Sequence, residues 1–136
     1  MTHTGNNNPA PDGRFWEVDL QGDFDIAMIR IWNRTDCCSN CLNNFRITLY
    51  DNGANVGSQV FTTQPSPSLE ITSLTGMADR IRVTQLNNTA LSIAEFQVYV
   101  TGGAVYVFDC SDVGIQTLTM VATDASGNTS SCAHNV

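Results

Sequence analysis

The chain has 136 residues, with six basic and 13 acidic side chains and a net charge of −7; every basic residue is arginine. That length suits one domain with room for at most part of a second, and the acidic balance, without a run of basic residues, excludes nucleic acid and anionic membrane as ready partners. Hydrophobic residues make up 42%, enough for a packed core, yet no apolar run approaches the roughly 20 residues of a membrane span, so membrane insertion is not expected.

Residues 1–14 read as a polar loop with Pro9, Pro11 and an Asp12-Gly13 turn signal. Residues 15–20 form a short strand, Gly22-Asp23 a turn, and residues 26–32 a second strand. In it Ile26, Met28, Arg30 and Trp32 share one face, with Ala27, Ile29 and Ile31 on the other. After a Cys-rich loop, residues 45–50 alternate again and Asp51-Asn52-Gly53 turns the chain. Residues 56–62 are a further strand, broken by Pro65 and Pro67, and residues 69–71 a short one. In residues 78–86, Ile81 and Val83 face inward and Arg80, Arg82 and Thr84 outward; residues 91–100 form a long strand. Thr101-Gly102-Gly103 reads as a boundary, followed by strand candidates at 104–108, 115–123 and 129–132. No segment has a helical period. Short, evenly spaced strands predict an all-β sandwich or jelly roll, and the tail of about 33 residues is too short for a sandwich of its own.

Five cysteines favour an oxidising compartment. Cys37 could pair with Cys38, and Cys110 with Cys132 across a hairpin, which leaves Cys41; the alternative is a reduced chain of five thiols. The first residues have neither a charged nor an apolar region and do not read as a signal peptide. Either the chain is cytosolic or it begins inside a longer one.

The stretch Arg34-Thr35-Asp36-Cys37-Cys38-Ser39-Asn40-Cys41 carries the functional reading. Adjacent cysteines, once oxidised, close a strained eight-membered ring, a small rigid apolar plate. An arginine beside such a plate offers a fork of donors next to a flat apolar face, as sugars require with their polar edges and apolar patches. A plain surface ion pair between Arg34 and Asp36 is the competing reading. Cys38-Ser39-Asn40-Cys41 is also a Cys-x-x-Cys, which raises zinc, redox work or a Cys38–Cys41 disulfide, but neither a second Cys pair nor a βαβ pattern accompanies it. No catalytic motif is present, and no enzyme activity is expected.

Three segments resemble a known family: Trp16-x-Val18-Asp19-Leu20; Ile29-x-Ile31-x-Asn33-Arg34-x-Asp36-Cys37-Cys38; and residues 93–99, Ile-Ala-Glu-Phe-Gln-Val-Tyr. Residues 15–100 are similar to the discoidin-like (galactose-binding-like) jelly roll and, within it, to the fucose-binding F-type lectins. The resemblance implies a sugar site of His3, Arg34 and Asp36, with the Cys37–Cys38 ring against a C–H face of the sugar. Cys41 stands where the family has a second basic residue, and Arg14 or Arg46 is a candidate replacement. The family's first strands and most of its calcium loop have no counterpart, so the expected fold is an N-terminally truncated β-sandwich with additional C-terminal strands. Ca2+ is implied by the resemblance alone, through Glu95; a lone carboxylate cannot hold an ion that takes six to eight oxygens. The tail resembles part of a bacterial Ig-like surface repeat, in which Cys110 pairs with Cys132. The implied organisation is a lectin domain over 1–100 and an Ig-like fragment over 101–136.

The expected function is therefore a non-catalytic carbohydrate-binding module, with glycans as partners, within a larger secreted or cell-surface protein. A structural or adhesion module that has lost sugar binding, and a targeting module of a glycoside hydrolase, are the alternatives. A sheet missing strands leaves an edge exposed, so oligomerisation is expected unless the tail covers that edge.

Overall fold

The computed structural model describes residues 2–3, 14–36, 38–103, 105–108, 117–123 and 129–135, with side chains for 14–36, 38–103, 105 and 107. The strands are β1 (Thr2–His3), β2 (Phe15–Trp32), β3 (Phe45–Asp51), β4 (Ala54–Phe61), β5 (Ser68–Ile71) and β6 (Gly76–Gln85). They continue with β7 (Ser92–Ile93), β8 (Glu95–Val100), β9 (Val105–Phe108), β10 (Thr117–Thr123) and β11 (Thr129–Asn135). A single 3-10 turn, Ser39–Cys41, is the only helical element among the described residues, and none is long and apolar enough to cross a membrane.

One curled antiparallel sheet carries the fold, in the order β4-β3-β6-β2-β8-β9, with β5 also paired to β2. The 18-residue strand β2 belongs to both halves of this sheet. Its first part, Phe15 to Asp19, pairs with β6, and its last part, Ile29 to Trp32, lies between β5 and β8. Between them the register with β6 shifts from Asp19 to Phe24. Gln21 adopts φ 61 there, and its N–H donates to Asp19 Oδ1 at 2.8 Å. Residues 21–23 thus form a bulge, which bends a strand without reversing it, where a turn between two separate strands was expected. The bend folds one half of the sheet over the other, and Trp16 meets Phe96 with ring centroids 4.9 Å apart.

A second bulge corrects the predicted facing of residues 26–32. Ile26 pairs with Val100 and Met28 with Tyr99, so Ala27 is an extra residue against β8. The slip turns Ile26 into the core beside Ile29 and Ile31 and leaves Ala27 exposed. A side-chain period of two reverses its faces at every such insertion. Elsewhere the alternation holds for Phe45, Ile47 and Leu49 of β3 and Ile81 and Val83 of β6, fully buried, with Arg80 and Arg82 outward; Thr84, expected outward, is only 2% exposed, flanked in register by Arg46 and Phe15. Asn52 (φ 49) and Gly53 (φ 80) make the expected tight hairpin turn between β3 and β4, which needs positive φ at both central residues.

The predicted strand over 91–100 divides at Ala94, whose N–H donates to Trp32 O at 2.9 Å, and Ser92–Ile93 pairs instead with Thr2–His3. Beyond Gly102-Gly103, β9 adds to the free edge of β8. Strands β10 and β11 form a two-stranded sheet of their own, in which Met120 is opposite Cys132.

Candidate functional site at one end of the sandwich

The loops 33–44, 62–67 and 86–94 meet at one end of the sandwich. Asn33, directly after β2, joins two of them and is only 4% exposed. Its Nδ2 donates to Ser39 O at 2.7 Å and Pro65 O at 3.1 Å, and its backbone N–H donates to Pro67 O at 2.7 Å. Its Oδ1 accepts the Arg34 N–H at 2.9 Å. This side chain therefore sets the path of the Cys-rich loop where Arg34 leaves the sheet.

Arg34 then pairs with Asp36 through two parallel hydrogen bonds, Nε to Oδ1 at 2.9 Å and Nη2 to Oδ2 at 2.7 Å. The Arg34 side chain is 12% exposed and Asp36 62%. An arginine so covered, with its plane fixed by a forked carboxylate, is oriented before any ligand arrives; a loose surface pair would leave both partners in water.

Cys38 has φ 52, a left-handed backbone, and its C=O accepts the Cys41 N–H at 2.8 Å to close the 3-10 turn. Cys38 is exposed and Cys41 buried, and both are thiols, so the Cys38–Cys41 bridge is not formed. The expected Cys37–Cys38 ring is not formed either, since Cys38 is a free thiol; Cys37 itself lies outside the described residues, as does Cys110 of the expected Cys110–Cys132 pair. Cys41 O accepts a hydrogen bond from Gln85 Nε2 at 3.1 Å, which ties the loop to the end of β6. Cys41, where the resemblance implied a basic side chain, is here a buried anchor.

The third loop is braced by Arg14, which is 3% exposed. Its guanidinium reaches Asn88 Oδ1 at 2.9 Å, Asn87 O at 3.3 Å and Thr89 O at 3.4 Å. That bonding makes Arg14 a clamp on the loop and takes it out of consideration as a replacement for the basic residue at 41. Arg46 lies beside Thr84 on the outer face of β3. The backbone of His3 is opposite Ser92, two residues before the Ala94–Trp32 bond, which brings β1 to the same end as Arg34.

Glu95 sits opposite Trp32 and accepts a hydrogen bond from Gln97 Nε2. The neighbouring Arg30 is bonded to Glu70, and that bond first, with Tyr99 and Glu95 contributing, raises its pKa. Glu95 thus faces an amide donor and a cation, surroundings that do not fit calcium. Among the described residues the carboxylates of Asp23, Asp51 and Asp79 lie within 4.8 Å of one another; Asp23 is at the β2 bulge and Asp51 and Asp79 at the far ends of β3 and β6.

Asn33, quoted in the sequence only as part of the motif, and Gln85 brace the loop by hydrogen bonds that the sequence reading did not assign. A signal for Gln85 was present, since it continues the inward phase of Ile81 and Val83, and a buried amide must be hydrogen-bonded.

The model of the NedA-like, galactose-binding domain matches residues 1–134. The chain belongs to this family. A fucose-binding module of Streptococcus pneumoniae is 33% identical, with 71% of this chain and 67% of that one covered and a TM-score of 0.63. A second such module, SpX-3, is 31% identical, with 71% and 69% covered and a TM-score of 0.64. The lectin domain of lectinolysin, solved with Lewis B antigen, is 29% identical, with 71% and 69% covered and a TM-score of 0.62. No curated protein matches the chain. The discoidin-like jelly roll is the fold of this family member, and carbohydrate binding is the property its relatives share by name.

Proposed function

We propose that the chain is a non-catalytic carbohydrate-binding module that takes fucosylated glycans at the loop end around Arg34. The observation that carries this reading is the forked Arg34–Asp36 pair, largely covered and held by Asn33, in a chain about one third identical to named fucose-binding modules. Arg34 donates to adjacent sugar oxygens, Asp36 fixes its plane, and His3 adds a donor or acceptor from β1. Oxidation of the exposed Cys38 thiol with Cys37 would add an apolar plate beside Arg34. The module belongs to a secreted or surface protein, and its domain extends past residue 100, since β9 lies on the edge of β8 in the same sheet.

The buried Cys41 favours a second reading, a structural or adhesion module that has lost its sugar. Losing one charged donor removes a hydrogen bond of about 1.5–3 kcal/mol, a large share of a shallow monosaccharide site. A glycan array separates the two. The lectin reading expects signal on fucosylated glycans and none on their defucosylated forms; an array silent on every fucosylated glycan sinks it and leaves the adhesion reading.

A further inference from the structure

The outer face of the β4-β3-β6-β2 layer holds three of the six arginines of a chain whose net charge is −7. Register places them on one face. Arg46 is opposite Thr84, which is opposite Phe15; Arg82 is opposite Glu17; Arg80 is opposite both Asp19 and Tyr50. Three guanidinium groups share this face with the carboxylates of Glu17 and Asp19, and Asp51 and Asp79 lie at its edge beside Tyr50 and Arg80. The absence of a basic run in the sequence concealed this, because the cluster forms only when β3 pairs with β6.

The arginines differ in how they are satisfied. Arg82 donates from Nε to Glu17 Oε2 at 2.6 Å and lies 4.2 Å from the Phe15 ring and 5.3 Å from the Tyr50 ring. It is locked in place by an anion and two aromatic faces. Arg80 has its nearest carboxylate oxygen, Glu17 Oε1, 3.7 Å away, beyond hydrogen-bonding distance. Its side chain is 35% exposed. Glu17 shows that an oxyanion fits between the two arginines, and it leaves Arg80 with donors to spare. Tyr50 stands across from Arg80, and Phe15 is 41% exposed beside Arg82. A cation with open donors, a phenol and an apolar ring therefore line one shallow surface.

We propose that this face binds a sulfated sugar, with the sulfate on Arg80, a ring hydroxyl on Tyr50 and a C–H face against Phe15. The net charge of −7 limits the ligand to one or two sulfates, since a long polyanion would be repelled by the rest of the molecule. A sulfate ester suits the place better than a carboxylate. Its three terminal oxygens accept donors from several directions, whereas a planar carboxylate is matched by one fork, the role Glu17 already fills for Arg82.

The test is titration of the full chain, followed by NMR at 50 mM NaCl, with galactose 6-sulfate, galactose and galacturonate. Galactose 6-sulfate should bind at least tenfold more tightly than either other sugar, and its affinity should fall several-fold at 300 mM NaCl as screening grows. Arg80→Gln should weaken it at least tenfold, Tyr50→Phe a few-fold, and Glu17→Gln should strengthen it by removing the competing anion. Opposite signs at Arg80 and Glu17 are not produced by damage to folding. Arg34→Ala should leave galactose 6-sulfate binding unchanged, and Arg80→Gln should leave fucosylated-glycan binding unchanged, so this site and the loop-end site fail separately. Equal binding of galactose and galactose 6-sulfate, galacturonate as tight as the sulfate, or no effect of Arg80→Gln would overturn the proposal.

Discussion

Asn33→Asp is expected to destabilise the protein by about 3–5 kcal/mol, the range for a buried charge left uncompensated. The native amide donates both of its hydrogens to carbonyls, Ser39 O and Pro65 O. A carboxylate there would point oxygen at oxygen in a place only 4% exposed. Asn33→Ala removes the same bonds without adding charge and should cost less, about 2–3 kcal/mol, since two carbonyls and the Arg34 N–H lose their partner. Urea unfolding curves give both numbers. The ordering Asp worse than Ala is the discriminating result, because a residue that merely filled space would show the reverse. Both variants should also weaken glycan binding by more than their loss of folded fraction accounts for, since the Arg34 backbone is held by Asn33 Oδ1.

Phe96→Ala is expected to cost about 3–5 kcal/mol, as large-to-small changes of buried aromatics do. Phe96 is 1% exposed and opposite Ile31 in register, and its ring meets Trp16 from the other half of the sheet. Removing it opens a cavity at the contact that joins the two layers, and most domains have only about 5–15 kcal/mol in total. The unfolding midpoint should fall sharply while the denaturant slope stays constant, and the near-UV signal of Trp16 should change in the folded state. A loss below about 1 kcal/mol would mean that the two halves of the sheet do not depend on this contact, against the layered core described above.

The strands were legible in the sequence because their hydrophobic period is two over nearly every element, and because Asn52-Gly53 has one low-cost conformation in a hairpin. The bend in β2 was not. Gly22-Asp23 is a turn signal by composition, and whether it reverses a strand or bulges it depends on what pairs on either side, which only β6 decides. The Ala27 slip is of the same kind: the local alternation of Ile26, Met28, Arg30 and Trp32 is unbroken, and the insertion exists only relative to β8. At the site, Arg34 and Asp36 are two residues apart, so their pairing was readable from spacing. Asn33 was not readable as a brace, because its acceptors are six and 32 residues away. The arginine face was hidden for the same reason, since Arg46 joins the face of Arg80 and Arg82 only through strand pairing.

The central claim is that Arg34, fixed by Asp36 and Asn33, holds a fucosylated glycan. Calorimetric titration of the native chain and of Arg34→Ala with a fucosylated tetrasaccharide such as Lewis b tests it most directly. The account predicts saturable binding by the native chain and at least a tenfold loss in Arg34→Ala, with unfolding midpoints that agree within a few degrees. Equal affinity in the two proteins, or no binding heat from the native chain, would contradict it.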